Sequence, residues 1–360
     1  MRNRLFFLTT ISIVCYACNV TETSTENCFD QSFKSIIIAF ESGLNSSVRV
    51  YNNDLSEIEF QDADLYSSPF HIFRSNDFYY YTYSDSDSTS LFVKRLVSNN
   101  ERIGSVSLNK GSSLQRIDSI NEIYTTFFYS PQELIVTNDT IINREVDFVT
   151  HAIYEDQDRY FGVNREAGEF RLVEFQDHDT LQIAGISNLI NRHVNAPSYI
   201  LSMVYQSQDE RLIITVEDIS NAPDTYLIDI DLKSGESKSF KVGDHSRLII
   251  EEMSNIILLT HQLTYRLNSE PVEYVHYYDT ANKTIKVFTN LGVSERVTGY
   301  YVQDIVVTNC SAFVATIEVE NDGFTLKVRQ YDFQGIMKRE VEIKQIYPGQ
   351  EYMRSILILN

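Results

Sequence analysis

A repeating unit of roughly 44 residues is the feature of this sequence that most limits its possible folds. Within each unit, short apolar runs are separated by turns rich in Gly, Asn, Asp and Ser, which indicates strands joined by tight connections. The clearest unit covers residues 199–242, and the two units that follow it repeat the same order. The strands predicted in these three units are residues 199–205, 211–216, 225–231, 237–242, 247–250, 255–260, 274–279, 284–288, 301–307, 312–317, 326–332 and 338–343.

Four strands in a unit of this length are typical of one blade of a β-propeller. Three earlier units cover residues 70–108, 114–149 and 151–186, whereas residues 35–61 supply only three strands. The C-terminal residues 352–360 form one further strand, which we expect to be the inner strand of the first blade because that placement leaves no long free sheet edge. The sequence therefore predicts an all-β propeller of seven four-stranded blades closed by the C-terminal strand, with six blades as the alternative.

Composition agrees with a strand-rich fold and excludes two classes of protein. The chain has 23 Tyr and 21 Phe among 43% hydrophobic residues, which is enough apolar material for a large core and excludes general disorder. The formal net charge is −20. Because such a charge repels phosphate backbones, we expect no nucleic-acid partner.

The hairpins between the third and fourth predicted strands carry a family resemblance. Residues 227–236, 277–283 and 330–335 resemble the corresponding hairpins of TolB-like and NHL-like β-propellers, which are common on bacterial surface and periplasmic lipoproteins. The resemblance implies the fold and a binding role, but it implies no reaction. The chain has no Trp, so it cannot carry the tryptophan motifs of WD-repeat propellers.

The N-terminus has the pattern of an export signal. Arg2 and Arg4 precede an apolar stretch of 13 residues, 5–17, which is too short to cross a bilayer comfortably. A small residue, Ala17, lies directly before Cys18, and this end of the stretch resembles the lipobox of bacterial lipoproteins. The resemblance implies that Cys18 is acylated and becomes the new N-terminus. A conventional cleaved signal peptide, with no lipid on Cys18, is the alternative.

These features predict how the chain is divided into segments and domains. We expect a signal peptide at residues 1–17, a flexible tether at 18–34 and a single propeller at 35–360, on a lipoprotein of the outer membrane that faces the periplasm or the cell surface. The membrane would then be a partner through the lipid anchor. Cys28 and Cys310 would be the remaining thiols of the exported chain, and we expect them to form a disulfide, with two unpaired cysteines as the alternative.

A set of polar residues appears when the predicted blades are aligned. The residue just before each inner-strand apolar run has a polar tip, and none of these residues is acidic: His71, Arg116, His151, Tyr199, Arg247, Tyr301 and Arg354. Inner strands line the central channel of a propeller, so we expect these side chains at its mouth. They could bind a carboxylate, sulfate or phosphate. The alternative is that they fill the channel and bond to inner-strand carbonyls and water.

Two classes of function fit this set. The first is a non-catalytic binding or scaffold module for an anionic or carbohydrate ligand or for a partner protein. The second is a hydrolase or lyase that acts on an anionic sugar or lactone at the channel mouth, with His71 or His151 as the general base. The sequence contains no phosphate-binding glycine loop and no recognised metal or catalytic motif, and we therefore expect no cofactor and no metal.

The lipid anchor gives a first test. Replacing Cys18 with Ser should move the protein from the membrane fraction to the soluble fraction, because the acyl chains would be its main apolar attachment. Fractionation of the native host followed by immunoblotting measures this, with Cys28→Ser as the control that should stay on the membrane. An unchanged distribution of the Cys18→Ser protein would contradict the anchor.

Overall fold

The computed structural model describes twenty-eight strands, one short helix and several of the turns between them. The described residues are 35–42, 45–52, 57–58, 72–75, 78–84, 90–96, 102–108, 113–117, 122–126, 132–136, 141–145, 149–156, 159–176, 179–220, 224–244, 247–253, 256–262, 274–291, 299–307, 311–320, 323–344 and 351–359. Side chains are described between residues 150 and 342, with gaps.

These strands form seven four-stranded antiparallel sheets, numbered here in chain order. Sheet 1 contains β1 (Ser35–Ser42), β2 (Asn45–Asn52), β3 (Glu57–Ile58) and β28 (Glu351–Leu359). Sheet 2 contains β4 (Ile72–Ser75), β5 (Phe78–Ser84), β6 (Ser90–Leu96) and β7 (Arg102–Leu108). Sheet 3 contains β8 (Ser113–Ile117), β9 (Glu122–Thr126), β10 (Gln132–Val136) and β11 (Ile141–Glu145).

The C-terminal half supplies the other four sheets. Sheet 4 contains β12 (Val149–Asp156), β13 (Arg159–Glu166), β14 (Glu169–Gln176) and β15 (Asp179–Gly185), and α1 (Ser187–Ile190) follows it. Sheet 5 contains β16 (Pro197–Gln206), β17 (Arg211–Asp218), β18 (Asp224–Asp231) and β19 (Glu236–Asp244). Sheet 6 contains β20 (Arg247–Met253), β21 (Ile256–Gln262), β22 (Tyr274–Asp279) and β23 (Thr284–Asn290). Sheet 7 contains β24 (Gly299–Val307), β25 (Ala312–Glu320), β26 (Gly323–Tyr331) and β27 (Met337–Lys344).

The order of the strands within the sheets agrees with the all-β prediction. In sheets 2 to 7 the strands lie in chain order, so each sheet is a simple meander. In sheet 1, β28 pairs with β1 from Ser35↔Leu359 to Ser42↔Glu351. The first strand of each sheet, which is β28 in sheet 1, contacts the first strand of the next sheet. Such an arrangement is that of an all-β propeller.

Apolar side chains pack between the faces of neighbouring sheets. Sheets 4 and 5 share the largest described cluster, which includes Phe161, Leu172, Met203 and Leu212, all at most 3% exposed. Other clusters lie between sheets 5 and 6 and between sheets 6 and 7. Each large apolar side chain buried in this way stabilises the fold by about 2 kcal/mol. No helix among the described residues has the length and hydropathy needed to cross a membrane.

An aspartate organises the third hairpin of sheets 5, 6 and 7, where the family resemblance lies. Asp231 accepts backbone hydrogen bonds from the two residues at 233 and 234, and Asp279 accepts them from residues 281 and 282. Asp332 likewise accepts the N–H groups of residues 334 and 336. Hydrogen bonds from Ser234 lower the pKa of Asp231, and hydrogen bonds from Asn282 lower the pKa of Asp279. The turn therefore favours an ionised aspartate at this position.

Gly335 allows the third hairpin of sheet 7 to pack closely against sheet 6. Its φ is +76°, and a Cβ atom at this position would overlap the carbonyl oxygen of Phe288. Gly235 occupies the corresponding hairpin of sheet 5 with a φ of +68°, but no neighbouring atom lies within 4 Å of its added Cβ. The two glycines therefore share a backbone requirement and differ in their surroundings.

This difference predicts two unequal losses of stability. Gly235→Ala should lower the free energy of unfolding by about 1 to 2 kcal/mol, because alanine is disfavoured at positive φ. Gly335→Ala should cost about 2 kcal/mol more, because the Phe288 backbone must also move. Urea unfolding of both variants measures the difference. Equal losses would show that the hairpin does not depend on close contact with Phe288.

Candidate functional site

The seven residues predicted at the channel mouth fall into three groups. His71 lies outside the described residues. Arg116, Arg247, Tyr301 and Arg354 lie in β8, β20, β24 and β28, the first strands of their sheets, and their side chains are outside the description. The side chains of His151 and Tyr199 are described, and their ring centroids lie 6.0 Å apart. The structure therefore brings together two of the predicted residues, on the first strands of sheets 4 and 5.

The His151 imidazole lies in the interface between these two sheets. Its centroid is 5.3 Å from that of Phe170 in sheet 4, with the rings inclined at 67°. Its Nδ1 accepts a hydrogen bond from the backbone N–H of Ile200 in sheet 5, at 3.4 Å. Only 7% of His151 is exposed. His151 is therefore a buried residue that contacts both sheets.

The hydrogen bond at Nδ1 assigns the proton of the neutral ring to Nε2. Nε2 is buried and has no hydrogen-bond partner among the residues that the structure describes. Burial, assisted by the positive charge of Arg165, lowers the pKa of His151 to about 4. The ring is therefore neutral at physiological pH and is a weak base there.

A pocket of about 430 Å³ opens beside this interface. We use the term entry face for the side of the sheets at which their first strands begin. Arg165 pairs with Val149 at the start of β12, and Asp218 pairs with Pro197 at the start of β16, so the ends of β13 and β17 reach the same face. The pocket is lined by Arg165, Gly168, Phe170, Ser187, Asn191, Ala196, Pro197, Ser198 and Ile219. It therefore lies on the entry face, between sheets 4 and 5.

Arg165 gives the pocket its positive charge. One guanidinium nitrogen, Nη1, donates to the carbonyl oxygen of Ser198 at 3.3 Å, and Cζ lies 5.1 Å from the centroid of Phe170. In the described part of the chain, Arg165 has no carboxylate partner. By contrast, Arg211 makes two hydrogen bonds of 2.8 and 2.5 Å to Asp229. The Arg165 guanidinium thus keeps most of its donors available in a half-buried position.

The loop that forms the far wall of the pocket is fixed by Asp218. Its carboxylate accepts the backbone N–H groups of Asn195, Ala196 and Ser220, at 2.9 to 3.2 Å. Burial alone would raise the pKa of Asp218, but these hydrogen bonds outweigh it and lower the pKa. The carboxylate is therefore ionised, and the wall next to Ala196 and Ile219 carries a satisfied negative charge.

Arg165 and the rest of this lining were not among the site residues predicted from the sequence. The available signal was the Ala167-Gly168 pair, which forms a two-residue turn with φ values of +48° and +86° between β13 and β14. In a four-stranded meander, this turn lies at the end where the first strand begins. Alignment of the second-to-third turns would have placed Arg165 on the entry face beside His151.

Three other predicted site residues lie outside the described residues. They are Cys18, expected to carry the lipid, and Cys28 and Cys310, expected to form a disulfide. Within the part of the chain that the structure describes, no three His, Cys, Asp or Glu side chains are grouped as metal ligands.

The unusual environment of His151 predicts a pH effect on stability. The unfolded chain, with an imidazole pKa of about 6.5, takes up a proton as the pH falls, whereas the folded protein resists it until about pH 4. Between about pH 8 and pH 5 the folded state should therefore lose about 2 kcal/mol through this group. In His151→Gln, urea unfolding should show a correspondingly smaller loss over the same range. Identical losses in the two proteins would contradict the burial of a neutral ring.

Among the solved structures that resemble this chain, three illustrate a likeness over nearly its whole length. A candidate 6-phosphogluconolactonase from Bacteroides fragilis has a TM-score of 0.53 at 11% identity, with 92% of this chain and 99% of that chain covered. A candidate 6-phosphogluconolactonase from Bacteroides uniformis has a TM-score of 0.55 at 11% identity, with 91% of this chain and 100% of that chain covered. A hypothetical selenium-binding protein from Sulfolobus tokodaii has a TM-score of 0.57 at 8% identity, with 91% and 93% covered.

No protein-family model matches the sequence, and a search of curated proteins also gives no match. At identities of 8 to 11%, the structural likenesses show a common fold and nothing finer. The strand order and these likenesses together identify the chain as an all-β, propeller-like protein.

Proposed function

We propose that this protein is an exported, lipid-anchored β-propeller that binds a small anionic ligand on the entry face, between sheets 4 and 5. In this proposal it is a binding module without catalytic activity. Cys18 attaches it to the outer membrane, facing the periplasm or the cell surface, and residues 18–34 are the tether.

We further infer that the seven sheets are the seven blades of one closed propeller. Two features support this number. Each first strand contacts the first strand of the following sheet, including β24 with β28 and β28 with β4. The pairing of β28 with β1 also joins the C-terminus to the first sheet. A closed ring of this kind would hold the pocket between two sheets that cannot slide apart.

Arg165 has no carboxylate partner in the described part of the chain, and this observation carries the binding proposal. A half-buried arginine without a carboxylate partner is costly unless another group satisfies it. An incoming carboxylate or phosphate would accept its forked hydrogen bonds. Arg247, the first residue of β20, is predicted to add positive charge on the same face, whereas Arg116 and Arg354 lie further along their strands.

A hydrolase or lyase is the second candidate, and the 6-phosphogluconolactonase names of two structural neighbours favour it. The environment of His151 argues against that histidine as the general base. Its pKa of about 4 makes it a weak base at neutral pH, and Nδ1 is already occupied by the Ile200 N–H group. A catalytic role would therefore need another base, such as His71.

Thermal unfolding in the presence of anions tests the binding proposal. Acetate, galacturonate, glucose 6-phosphate, inorganic phosphate and sulfate should be compared at one ionic strength. At least one should raise the melting temperature of the wild-type protein, because a ligand that binds only the folded state stabilises it. The rise should be lost in Arg165→Gln.

The matched control is Arg192→Gln, which removes the same charge from an exposed arginine that donates to the Gly235 carbonyl. This variant should respond to the anion as the wild type does. If no anion stabilises the protein, or if Arg165→Gln responds fully, the proposed site is wrong. Loss of the response only in a triple Arg116, Arg247 and Arg354 to Gln variant would move the site to the channel mouth.

A further inference from the structure

We propose that the pocket between sheets 4 and 5 selects a sugar acid carrying one carboxylate, such as a hexuronate, over a phosphorylated sugar. This inference rests on the proposed function and adds the chemical class of the ligand. It depends on the number of charges at the pocket, on the side-chain amide of Asn191 and on the apolar surface formed by Pro197 and Ile219.

The pocket lining contains one positive charge. Arg165 is the only Lys or Arg among the nine lining residues that the structure describes. Its guanidinium can accommodate both oxygens of one carboxylate in a forked arrangement. A phosphate monoester carries a charge of about −1.5 to −2 at neutral pH, so one guanidinium would leave part of that charge uncompensated.

Two titratable groups next to the lining, His151 and Asp218, do not supply a second positive charge. His151, next to Phe170 and Tyr199, is held neutral by burial, which lowers its pKa to about 4. Asp218 is ionised behind the wall formed by Ala196 and Ile219, where it accepts three backbone N–H groups. A dianion in the pocket would therefore meet one cation and a nearby negative charge. A monoanion would be balanced by Arg165 alone.

The rest of the lining suits a polyhydroxylated ring. The side-chain amide of Asn191 is exposed and makes no hydrogen bond within the described residues, so both its donor and its acceptor can bind hydroxyl groups. Pro197 and Ile219, which is 57% exposed, provide an apolar surface for the C–H face of a sugar. The Ser187 hydroxyl is already engaged by the N–H of Phe170 at 2.7 Å. A volume of about 430 Å³ is in the range of small-molecule sites and fits a mono- or disaccharide.

Isothermal titration calorimetry with three sugars tests this selectivity. Galacturonate supplies the carboxylate, galactose is the neutral analogue and glucose 6-phosphate is the phosphorylated one. Galacturonate should bind the wild-type protein at least about tenfold more tightly than either of the others, as expected when one charged hydrogen-bonded pair decides the affinity. Arg165→Gln should remove this preference, whereas Arg192→Gln should keep it.

A gain-of-charge variant provides the second measurement. Asn191→Lys adds a cation to the exposed edge of the pocket and leaves Arg165 in place. Because the added cation compensates the second phosphate charge, the ratio of glucose 6-phosphate affinity to galacturonate affinity should rise by about tenfold or more. An unchanged ratio would mean that charge balance does not set the selectivity, and would overturn the inference.

The remaining outcomes separate this inference from the proposed function. If glucose 6-phosphate binds the wild type as tightly as galacturonate and depends on Arg165, the selectivity is wrong and the anion site stands. The same conclusion follows if inorganic phosphate or sulfate binds through Arg165 and galacturonate does not. If no anion binds through Arg165, both the selectivity and the proposed function are wrong.

Discussion

Apolar packing between the faces of neighbouring sheets is the interaction on which the rest of this structure depends. Strand β17 shows why both faces take part: Leu212 and Ile214 pack toward sheet 4, whereas Ile213, between them, packs toward sheet 6. Side chains alternate in direction along a strand, so a strand buried on both faces must be apolar at nearly every position. The continuous apolar runs of the sequence have this physical origin.

Two of the buried charges among the described residues are compensated by ion pairs. Asp229 is 3% exposed, and it is bound by Arg211 and by the Tyr278 hydroxyl, at 2.6 Å. Arg329 is 4% exposed and bonds to Glu318 and Glu340, at 3.0 and 2.6 Å. Such pairing offsets the cost of removing charge from water. Arg165 has no such partner in the described chain, which makes it the clearest candidate for contact with a ligand.

The site is a consequence of how the interface between sheets 4 and 5 ends. The apolar cluster continues up to Ile190 and Val194 in the connection that includes α1, and both are nearly fully buried. The pocket lies beyond them, lined by Gly168 in the turn after β13 and by Pro197 and Ser198 at the start of β16. Asp218 fixes the loop on one side and the Phe170 backbone holds Ser187 on the other. The pocket walls are therefore attached to rigid strands, which suits a preformed binding site.

The sequence by itself determined the strands and their grouping into units. The strands predicted in residues 199–242 appear as β16 to β19, each longer than expected because backbone pairing continues into polar residues such as Gln206 and Asp218. Local alternation and turn composition are sufficient for this, since both act over a few residues. Only the tertiary structure decided what surrounds each functional side chain. Arg165, Phe170 and Ser198 meet because two sheets pack together, and His151 is buried and neutral for the same reason. Burial and pairing across such distances leave no local pattern in the chain.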